Sequence, residues 1–174
     1  MAMQASDGTE KLAQETNAGT KTLAYVIQKH WASHLHYDFR LEWAGVLKSW
    51  AIPKGPSLDP AVKRLAAQVE DHPLSYGDFE GSIAARQYGA GKVIVWDRGS
   101  WMPLGDAQAD LLDGKLKFEI FGEKLRGVWT LVRMKGAKDK RAPWLLVKER
   151  DEQARPTASY DVTQVLPDSV FKRT

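Results

Sequence analysis

Leu35-His-Tyr-Asp-Phe-Arg-Leu-Glu-Trp43 indicates the fold class more clearly than any other part of the chain. Its residues alternate strictly, with polar side chains at even positions from His36 to Glu42 and apolar side chains at odd positions. Period-two alternation predicts a β-strand with one face in a core. The polar face carries an imidazole, a carboxylate and a guanidinium at successive positions, whereas solvated faces mostly carry Lys, Glu, Thr and Ser. This composition favours a functional site on the strand.

Short strand patterns separated by Gly and Pro recur along the rest of the chain. We predict strands at Leu23–His30, Leu35–Trp43, Val46–Ile52, a stretch ending at Val69-Glu70, Lys92–Trp96, Lys115–Phe121, Leu125–Met134 and Trp144–Lys148. Asp97-Arg-Gly99 is expected to end the fifth of these strands. A short helix is expected at Asp106–Leu112, with Asp106 as its N-cap and Gly114 past its end. The pattern predicts an all-β, mainly antiparallel fold with one or two short helices, either a small closed β-barrel or a sandwich.

Length and composition limit the protein class. The 174 residues are 43% hydrophobic and include seven Trp, which is enough for one domain with a substantial core. No apolar run approaches the roughly 18 residues that span a bilayer, and the N-terminus lacks the features of a signal peptide, so no membrane association is expected. The absence of Cys excludes disulfides and thiolate metal sites and fits a reducing cytoplasm.

Charge and polarity divide the chain into three predicted segments. Residues 1–20 are polar without apolar periodicity and are expected to form a mobile tail. Residues 21–150 contain the predicted barrel, and residues 151–174 form an extension that either wraps the barrel or begins a linker. The net charge of +3 and the basic loop at residues 135–141 are compatible with a nucleic-acid partner.

The polar face of the strand around Leu35 could hold a metal ion. His36 and Asp38 stand about 6.6 Å apart on one strand face and can converge on one ion. His30 can join them if residues 31–33 form a turn between two neighbouring strands. Two imidazoles and a carboxylate leave coordination positions open, which suits Mn²⁺, Fe²⁺ or Zn²⁺ in a catalytic site.

Other polar residues near this face have weaker signals. Arg40 lies on the same face, and a guanidinium beside a cation indicates a phosphate or carboxylate substrate shared by both. His34 is interpreted as peripheral, because four histidines on one ion would be excessive. His72 precedes a proline, where a turn residue is the ordinary interpretation, and Tyr76 would ordinarily be a packing residue.

The residues leave three functions open. One is a metal-dependent phosphoesterase, which the surrounding cations Arg40, Lys54 and Arg64 favour. Another is a non-haem iron oxygenase, because His36-x-Asp38 with a later His72 has the form of a facial triad; His34-x-His36 is a related near miss for a cupin metal motif. The remaining one is a non-catalytic barrel that binds nucleic acid through basic loops and exposed aromatic residues.

The chain resembles the 3′-phosphoesterase domain of bacterial DNA ligase D from about residue 24 to residue 150. The motifs that carry the resemblance are Gln28-Lys-His30, Leu35-His-Tyr-Asp-Phe-Arg-Leu-Glu42, Leu47-Lys-Ser-Trp-Ala-Ile-Pro-Lys-Gly-Pro56, Val69-Glu-Asp-His-Pro73, Phe79-Glu-Gly81, Tyr88-Gly-Ala-Gly91, Val95-Trp-Asp-Arg-Gly99 and Gly122-Glu-Lys-Leu125. They occur in the order of the family and together are highly specific.

The resemblance implies a small β-barrel enzyme, dependent on Mn²⁺, that heals 3′ ends of broken DNA in non-homologous end joining. Such an enzyme removes a terminal 3′-phosphate, or trims a 3′-ribonucleoside and then its phosphate, and leaves a 3′-OH. The implied partners are DNA 3′ ends in primer–templates, together with ligase and polymerase modules in cis or in trans. The implied setting is the bacterial cytoplasm near the nucleoid, and a monomer is expected.

The resemblance also implies roles for individual residues. The implied Mn²⁺ ligands are His30, His36 and Asp38. The implied phosphate-binding residues are Arg40, His72, Tyr76, Lys54 and Arg64. Arg40, His72, Tyr76 and His36 are the implied catalytic residues, and Glu70 is an implied supporting residue.

Two segments depart from the family pattern. Ser82-Ile-Ala-Ala-Arg-Gln-Tyr88 replaces the usual Pro and Gly before Tyr-Gly, so the geometry of the loop around Ala84-Ala85-Arg86 is not predicted. The tail before residue 21 does not match the N-terminal segment that supports ribonucleoside trimming in some members. Removal of a 3′-phosphate is therefore the firmer expectation.

Overall fold

The computed structural model describes residues 22–87, 89–134 and 143–171. Its strands are β1 (Leu23–Trp31), β2 (Leu35–Trp43), β3 (Val46–Ile52), β4 (Arg64–His72), β5 (Gly81–Ile83), β6 (Gly91–Pro103), β7 (Lys115–Gly122), β8 (Arg126–Arg133) and β9 (Pro143–Lys148). Its helices are a 3₁₀ helix (Leu74–Asp78), α1 (Ala107–Asp113) and α2 (Val162–Val165). The predicted tail at residues 1–20, Tyr88 and the basic loop at residues 135–141 lie outside the described residues.

The strands form a closed antiparallel barrel. The order around the sheet is β1-β2-β3-β4-β9-β8-β7-β6, and β6 pairs back with β1 to close an eight-stranded ring. The short β5 pairs with the first residues of β6 outside this ring. Closure confirms the predicted barrel and excludes the sandwich. It also leaves no free edge within the ring, which removes the usual liability of exposed strand edges.

Large aromatic side chains fill the barrel. Trp50, Trp96, Trp129 and Trp144 are all essentially inaccessible to solvent. Trp50 and Trp144 meet edge to face, with ring centroids 5.7 Å apart. Tyr37, Phe39 and Leu41 of β2 also point into this core, as their alternation predicts, whereas Leu35 at the start of the strand is exposed. The hydrophobic effect therefore fixes which face of β2 looks outward.

The outward face of β2 is also covered, although alternation alone would leave it in solvent. The 3₁₀ helix places the ring of Tyr76 over Arg40 of β2. Gly77 of the same helix lies beside Val26 and Leu47, which form a small second apolar cluster with Val95. As a result Arg40 is only 3% exposed and Asp38 only 8%. Buried charges of this kind need partners, and the site described below supplies them.

Several predicted elements have the observed bounds. β2 and β3 begin and end where the alternation predicts. The side chain of Asp106 caps α1 by accepting from the amide of Ala109 at 3.1 Å, and Gly114 ends the helix in the left-handed region. None of the helices in the described part of the chain is long and apolar enough to cross a membrane.

The predicted end of the fifth strand at Asp97-Arg-Gly99 is wrong. β6 continues to Pro103, because a bulge opposite Ile27 and Gln28 inserts one extra residue and the pairing with β1 then resumes. Asp97 is not a turn residue but a buried anchor for the turn between β7 and β8. Its carboxylate accepts from the amides of Glu123, Lys124 and Leu125 and from the Tyr25 hydroxyl.

Residues 151–171 wrap the barrel. Within them, α2 buries Val162 and Thr163 against it. Further along, the indole of Trp96 donates to the carbonyl of Leu166 at 2.8 Å, and the amide of Val170 donates to the carbonyl of Val95 at 2.9 Å. The sequence did not locate α2 or the 3₁₀ helix. Each has at most five residues, which is too short for a helical period to be recognised, and both lie in polar or turn-like sequence.

Replacing Asp97 with Asn should destabilise the fold strongly. Both carboxylate oxygens of Asp97 accept from backbone N–H groups. In either orientation of the Asn amide, its NH₂ group would face one of these donors, so at least one donor would lose its acceptor. We expect a loss of about 2–3 kcal/mol in the free energy of unfolding, measured by urea denaturation. Asp113→Asn, at an exposed carboxylate, is the matched control and should change stability by less than about 0.5 kcal/mol. Equal stability of the two variants would contradict the anchoring role of Asp97.

Candidate metal centre and anion pocket

The β1–β2 hairpin brings the three predicted metal ligands together. The antiparallel register places His30 directly opposite His36, and Asp38 follows two residues later on the same face. Residues 32–34 form the bend between the strands, close to the predicted turn at residues 31–33. His34 lies in this bend with its side chain exposed to solvent.

One potential donor atom from each of the three side chains lies within 4.8 Å of the others. His30 Nδ1 is 3.6 Å from Asp38 Oδ2, and His36 Nε2 is 3.2 Å from the same oxygen. Two histidine nitrogens and one carboxylate oxygen at such separations form a compact ligand set on one side of an ion.

Backbone carbonyls hold both imidazoles in orientations suited to ligation. His30 Nε2 lies 3.1 Å from the carbonyl of Ala90, and His36 Nδ1 lies 3.2 Å from the carbonyl of His34. A carbonyl only accepts, so each of these nitrogens carries a proton. The opposite nitrogen of each ring faces Asp38, where it can donate to the carboxylate or, once deprotonated, bind a metal ion. Metal-binding histidines are oriented in this way by a second hydrogen bond. The three residues therefore fit a divalent transition metal.

The charge state of Asp38 also suits metal binding. Burial disfavours its ionised form, but hydrogen bonds from His30 and His36 and the charge of Arg40 outweigh burial and hold the pKa of Asp38 well below its ordinary value. The hydrogen bond with Asp38 in turn raises the pKa of His36. Asp38 is thus an anion at any physiological pH.

Arg40 is held rigidly beside this cluster. Its Nε donates to Gln28 Oε1 at 2.7 Å, and its Nη1 donates to Ser49 Oγ at 2.8 Å. Its Nη2 lies 3.6 Å from Asp38 Oδ2. Gln28 is inaccessible to solvent, as is Ser49. The guanidinium is therefore oriented by neutral partners before any anion arrives, which lowers the cost of binding one.

His72 reaches the site through an irregularity in β4. Ser49 pairs with Val69, but Leu47 pairs with His72, so β4 carries one extra residue at this point. The bulge turns His72 onto the face that Val69 occupies, toward the cavity. In a regular strand, Asp71 would face Leu47 instead.

One nitrogen of His72 lies close to both a hydrogen-bond donor and a hydrogen-bond acceptor. His72 Nδ1 lies 3.1 Å from Arg40 Nη1 and 3.0 Å from the carbonyl of Glu70. Arginine only donates, so Nδ1 must be unprotonated to bond Arg40, and Nε2 then carries the proton. Burial, and after it the charge of Arg40, lowers the pKa of His72. We infer a neutral imidazole that presents Nε2–H.

Tyr76 lies beside Arg40 and His72, and we call the space that these three side chains line the anion pocket. Its ring stacks on Phe79 at 5.3 Å, lies 5.1 Å from the ring of His72, and has the Arg40 guanidinium carbon 5.2 Å from its centroid. Burial raises the pKa of Tyr76, so its hydroxyl remains protonated and can donate a hydrogen bond.

These side chains line one cavity of about 700 Å³. Glu70 lies at its exposed rim, and Ala51, Val69 and Ile83 give it an apolar wall. A volume of this order is typical of small-molecule sites. The cavity therefore joins a cation-binding ligand set, a fixed guanidinium and two hydrogen-bond donors, an arrangement that suits a phosphate group with an organic substituent.

Comparison with known proteins identifies this arrangement. A sequence model of the DNA ligase D 3′-phosphoesterase domain matches residues 28–133, which include all the residues that form the metal cluster and the anion pocket. The chain belongs to this family.

Curated relatives agree with the family assignment. The chain is 60% identical over 152 residues to the multifunctional non-homologous end joining protein LigD of Pseudomonas aeruginosa, a match that covers 87% of this chain and 18% of the relative. It is 39% identical over 137 residues to the LigD protein of Mycobacterium tuberculosis, covering 79% of this chain and 17% of the relative. It is 40% identical over 139 residues to LigD of Mycolicibacterium smegmatis, covering 76% of this chain and 18% of the relative. The chain thus spans less than a fifth of the length of these relatives.

Two residues that the family resemblance places around the pocket lie away from the cavity. Lys54 is exposed in the turn after β3, and it does not line the cavity. Arg64 alternates with Ala66, which belongs to the barrel core, so it starts on the face of β4 opposite Val69. Its Nε is buried without a hydrogen-bond partner among the described residues.

The alternative ligand sets are not assembled. The oxygenase interpretation needs His72 on the ion, but His72 contacts Arg40 and is not part of the cluster. The cupin-like interpretation needs His34, whose side chain is exposed in the bend. Sequence reasoning missed Gln28 and Ser49 as supports of Arg40. Both residues occur in the family motifs, but their contacts with Arg40 depend on the pairing of β2 with its neighbouring strands, which the motifs do not show.

The pKa of His72 should respond to Arg40. Its imidazole should titrate below the ordinary value of about 6.5 for histidine in the wild-type protein, by ¹H–¹⁵N NMR. Arg40→Gln removes the neighbouring positive charge, so the pKa of His72 should rise, though burial should keep it below the ordinary value. Arg133→Gln removes a distant half-buried guanidinium and is the control. A His72 pKa that does not change in Arg40→Gln would contradict the contact.

Proposed function

We propose that this chain is a metal-dependent DNA 3′-end-healing phosphoesterase. It removes a 3′-phosphate and leaves a 3′-OH that a ligase or polymerase can use in non-homologous end joining. The observation that carries this proposal is the shared cavity, in which the cluster of His30, His36 and Asp38 adjoins a rigid Arg40. Membership in the 3′-phosphoesterase family and similarity to end-joining proteins support the same function.

His30, His36 and Asp38 would hold the metal, which we propose to be Mn²⁺. A bound divalent ion supplies Lewis acidity toward the phosphate and lowers the pKa of a coordinated water. The protein contributes a ligand set that leaves coordination positions open and an ionised Asp38 that balances part of the positive charge. The absence of thiolate ligands in a chain without Cys fits a metal that accepts nitrogen and oxygen donors.

Arg40, His72 and Tyr76 would bind the phosphate. Arg40 donates to phosphate oxygens from a position fixed by Gln28 and Ser49. Neutral His72 donates from Nε2, and Tyr76 donates from its hydroxyl. Donors fixed before the reaction stabilise the charge that develops as water attacks phosphorus and the bond to the 3′ oxygen breaks. The proton released by the attacking water balances the proton taken up by the departing oxygen.

Metal binding and activity should depend on the three cluster residues. His36→Ala removes a ligand from a half-buried position on the outward strand face, so the fold should persist while Mn²⁺ binding weakens and activity falls by at least about 100-fold. Mn²⁺ binding is measured by electron paramagnetic resonance, and activity by gel mobility of a primer carrying a 3′-phosphate. Melting temperature checks the fold.

His34→Ala is the matched control, because His34 lies two residues away and is exposed. It should retain wild-type Mn²⁺ affinity and activity. Full activity of His36→Ala in Mn²⁺ would refute the proposed ligand set. Wild-type protein without any Mn²⁺-dependent conversion of 3′-phosphate to 3′-OH would refute the proposed function and favour a nucleic-acid-binding barrel.

Removal of a phosphate and trimming of a ribonucleoside should differ in rate. The first needs contacts around one phosphate, all of which lie in the cavity. The second also requires placement of the terminal sugar, and the N-terminal segment that helps in some family members has no match here. We therefore expect robust conversion of a 3′-phosphate primer and weak conversion of a primer ending in one ribonucleotide.

Deletion of residues 1–20 tests whether these residues contribute to ribonucleoside trimming. Phosphatase activity should remain near the wild-type rate, because the cavity is formed by later residues. Comparable initial rates on both primers, with loss of ribonucleoside trimming on deletion, would show that the divergent N-terminal residues contribute to the reaction. Gel electrophoresis of both labelled primers in parallel provides the measurement.

A further inference from the structure

The C-terminal segment at residues 161–171, here called the strap, lies outside the part of the chain that the family model matches. It nevertheless reaches the outer layer that covers the site. Three successive strap carbonyls accept side-chain donors from the barrel. Trp96 Nε1 donates to the carbonyl of Leu166 at 2.8 Å, and Lys29 Nζ donates to that of Pro167 at 3.4 Å. Lys124 Nζ donates to the carbonyl of Leu166 at 3.0 Å and also to that of Asp168.

Beyond these contacts the strap meets Glu80. The Ser169 hydroxyl donates to Glu80 Oε2, and the same oxygen accepts from the amide of Val95 in β6 at 2.6 Å. Ser169 is only 4% exposed, so the contact is shielded from water. The amide of Val170 then donates to the carbonyl of Val95. Glu80 is thereby held between a barrel strand and the strap.

Glu80 directly follows residues 74–79, which comprise the 3₁₀ helix and Phe79 and are here called the Tyr76 segment. Gln28 also supports that segment, because its Nε2 donates to the carbonyls of Tyr76 at 2.8 Å and Phe79 at 3.2 Å. Phe79 stacks on the Tyr76 ring and immediately precedes Glu80. The Tyr76 segment is therefore held at one point by β1, through Gln28, and at its end by β6 and the strap, through Glu80.

A weaker link joins the strap to the same segment. The ring of Phe171 lies 4.3 Å from the guanidinium carbon of Arg98, and Arg98 Nη1 lies 3.9 Å from Asp78 Oδ1 in the 3₁₀ helix. Asp78 is largely exposed, and an exposed pair at this distance contributes little. The Ser169–Glu80 contact is thus the principal connection between the strap and the Tyr76 segment.

We propose that Ser169 and Glu80 are positioning residues for the anion pocket, through which the C-terminal strap fixes the segment that carries Tyr76. This inference rests on the proposed phosphate-binding role of Tyr76. Neither residue lines the cavity, so neither touches the substrate. Their effect arises because a small displacement of Tyr76 relative to Arg40 weakens phosphate contacts that must act together.

The test compares Ser169→Ala with Glu80→Ala in the full chain. Each should lower kcat on a 3′-phosphate primer by about tenfold, since misplacement of a contacting group by about 1 Å can cost up to 100-fold. Glu80→Gln keeps an acceptor for both Ser169 and Val95 and should restore most of the activity. Ser159→Ala is the matched control, because the Ser159 hydroxyl bonds only locally, to the carbonyl of Pro156; it should be active as wild type.

A double-mutant cycle distinguishes positioning from general loss of stability. Tyr76→Phe removes the hydroxyl that the strap is proposed to place, so adding Ser169→Ala in that background should lower kcat less than twofold. Full tenfold losses in both backgrounds, or a lower melting temperature with unchanged kcat, would overturn the positioning role.

Affinity for inorganic phosphate, measured by titration calorimetry with Mn²⁺ present, provides a readout that does not need turnover. Ser169→Ala should weaken phosphate binding several-fold, and equal affinities would overturn the inference. A wild-type protein that binds phosphate but converts no primer would refute the proposed function while still testing the strap. A wild-type protein that neither binds phosphate nor converts primer would overturn both.

Discussion

Hydrogen bonding of β1 along both of its edges is the constraint on which the rest of the structure depends. β1 pairs with β2 on one side and with β6 on the other, and this second pairing closes the ring. The same register sets His30 opposite His36. A slip of one residue would expel Ile27 from the core and turn His30 away from Asp38, because side chains alternate between faces. One set of main-chain bonds therefore specifies both the core and the ligand cluster.

Burial of the polar face of β2 opposes stability. Moving a carboxylate and a guanidinium out of water costs free energy that their mutual attraction only partly offsets. Asp38 and Arg40 are 3.6 Å apart but do not form a simple pair, because two imidazoles also face Asp38 and neutral side chains hold Arg40. Such an arrangement holds the guanidinium in a fixed orientation beside the cavity, as an anion-binding site requires.

The sequence predicts the parts of this architecture that depend on near neighbours. Alternation and turn residues are read over about ten residues, so β2, β3 and the cap at Asp106 are predicted correctly. The hairpin also brings His30 to His36 within that range. The placement of His72 depends on a bulge opposite Leu47 and Ser49, and a bulge has no signature in this stretch. The full length of β6 was missed because buried Asp97 resembles a turn residue. The polar C-terminal residues left wrapping of the barrel and a linker equally open, because the contacts that decide between them are with strands far away in the sequence.

The separation in sequence between paired strands has a consequence for how the molecule folds. β1, β2 and β3 follow one another as hairpins, so the ligand cluster is built from local contacts. Closure of the ring joins β1 to β6 and β4 to β9, which lie far apart in the chain. Contacts between distant segments pay a larger loop-closure entropy and form slowly. The transition state for folding should therefore lie at ring closure, after the hairpin that bears His30 and His36 has formed.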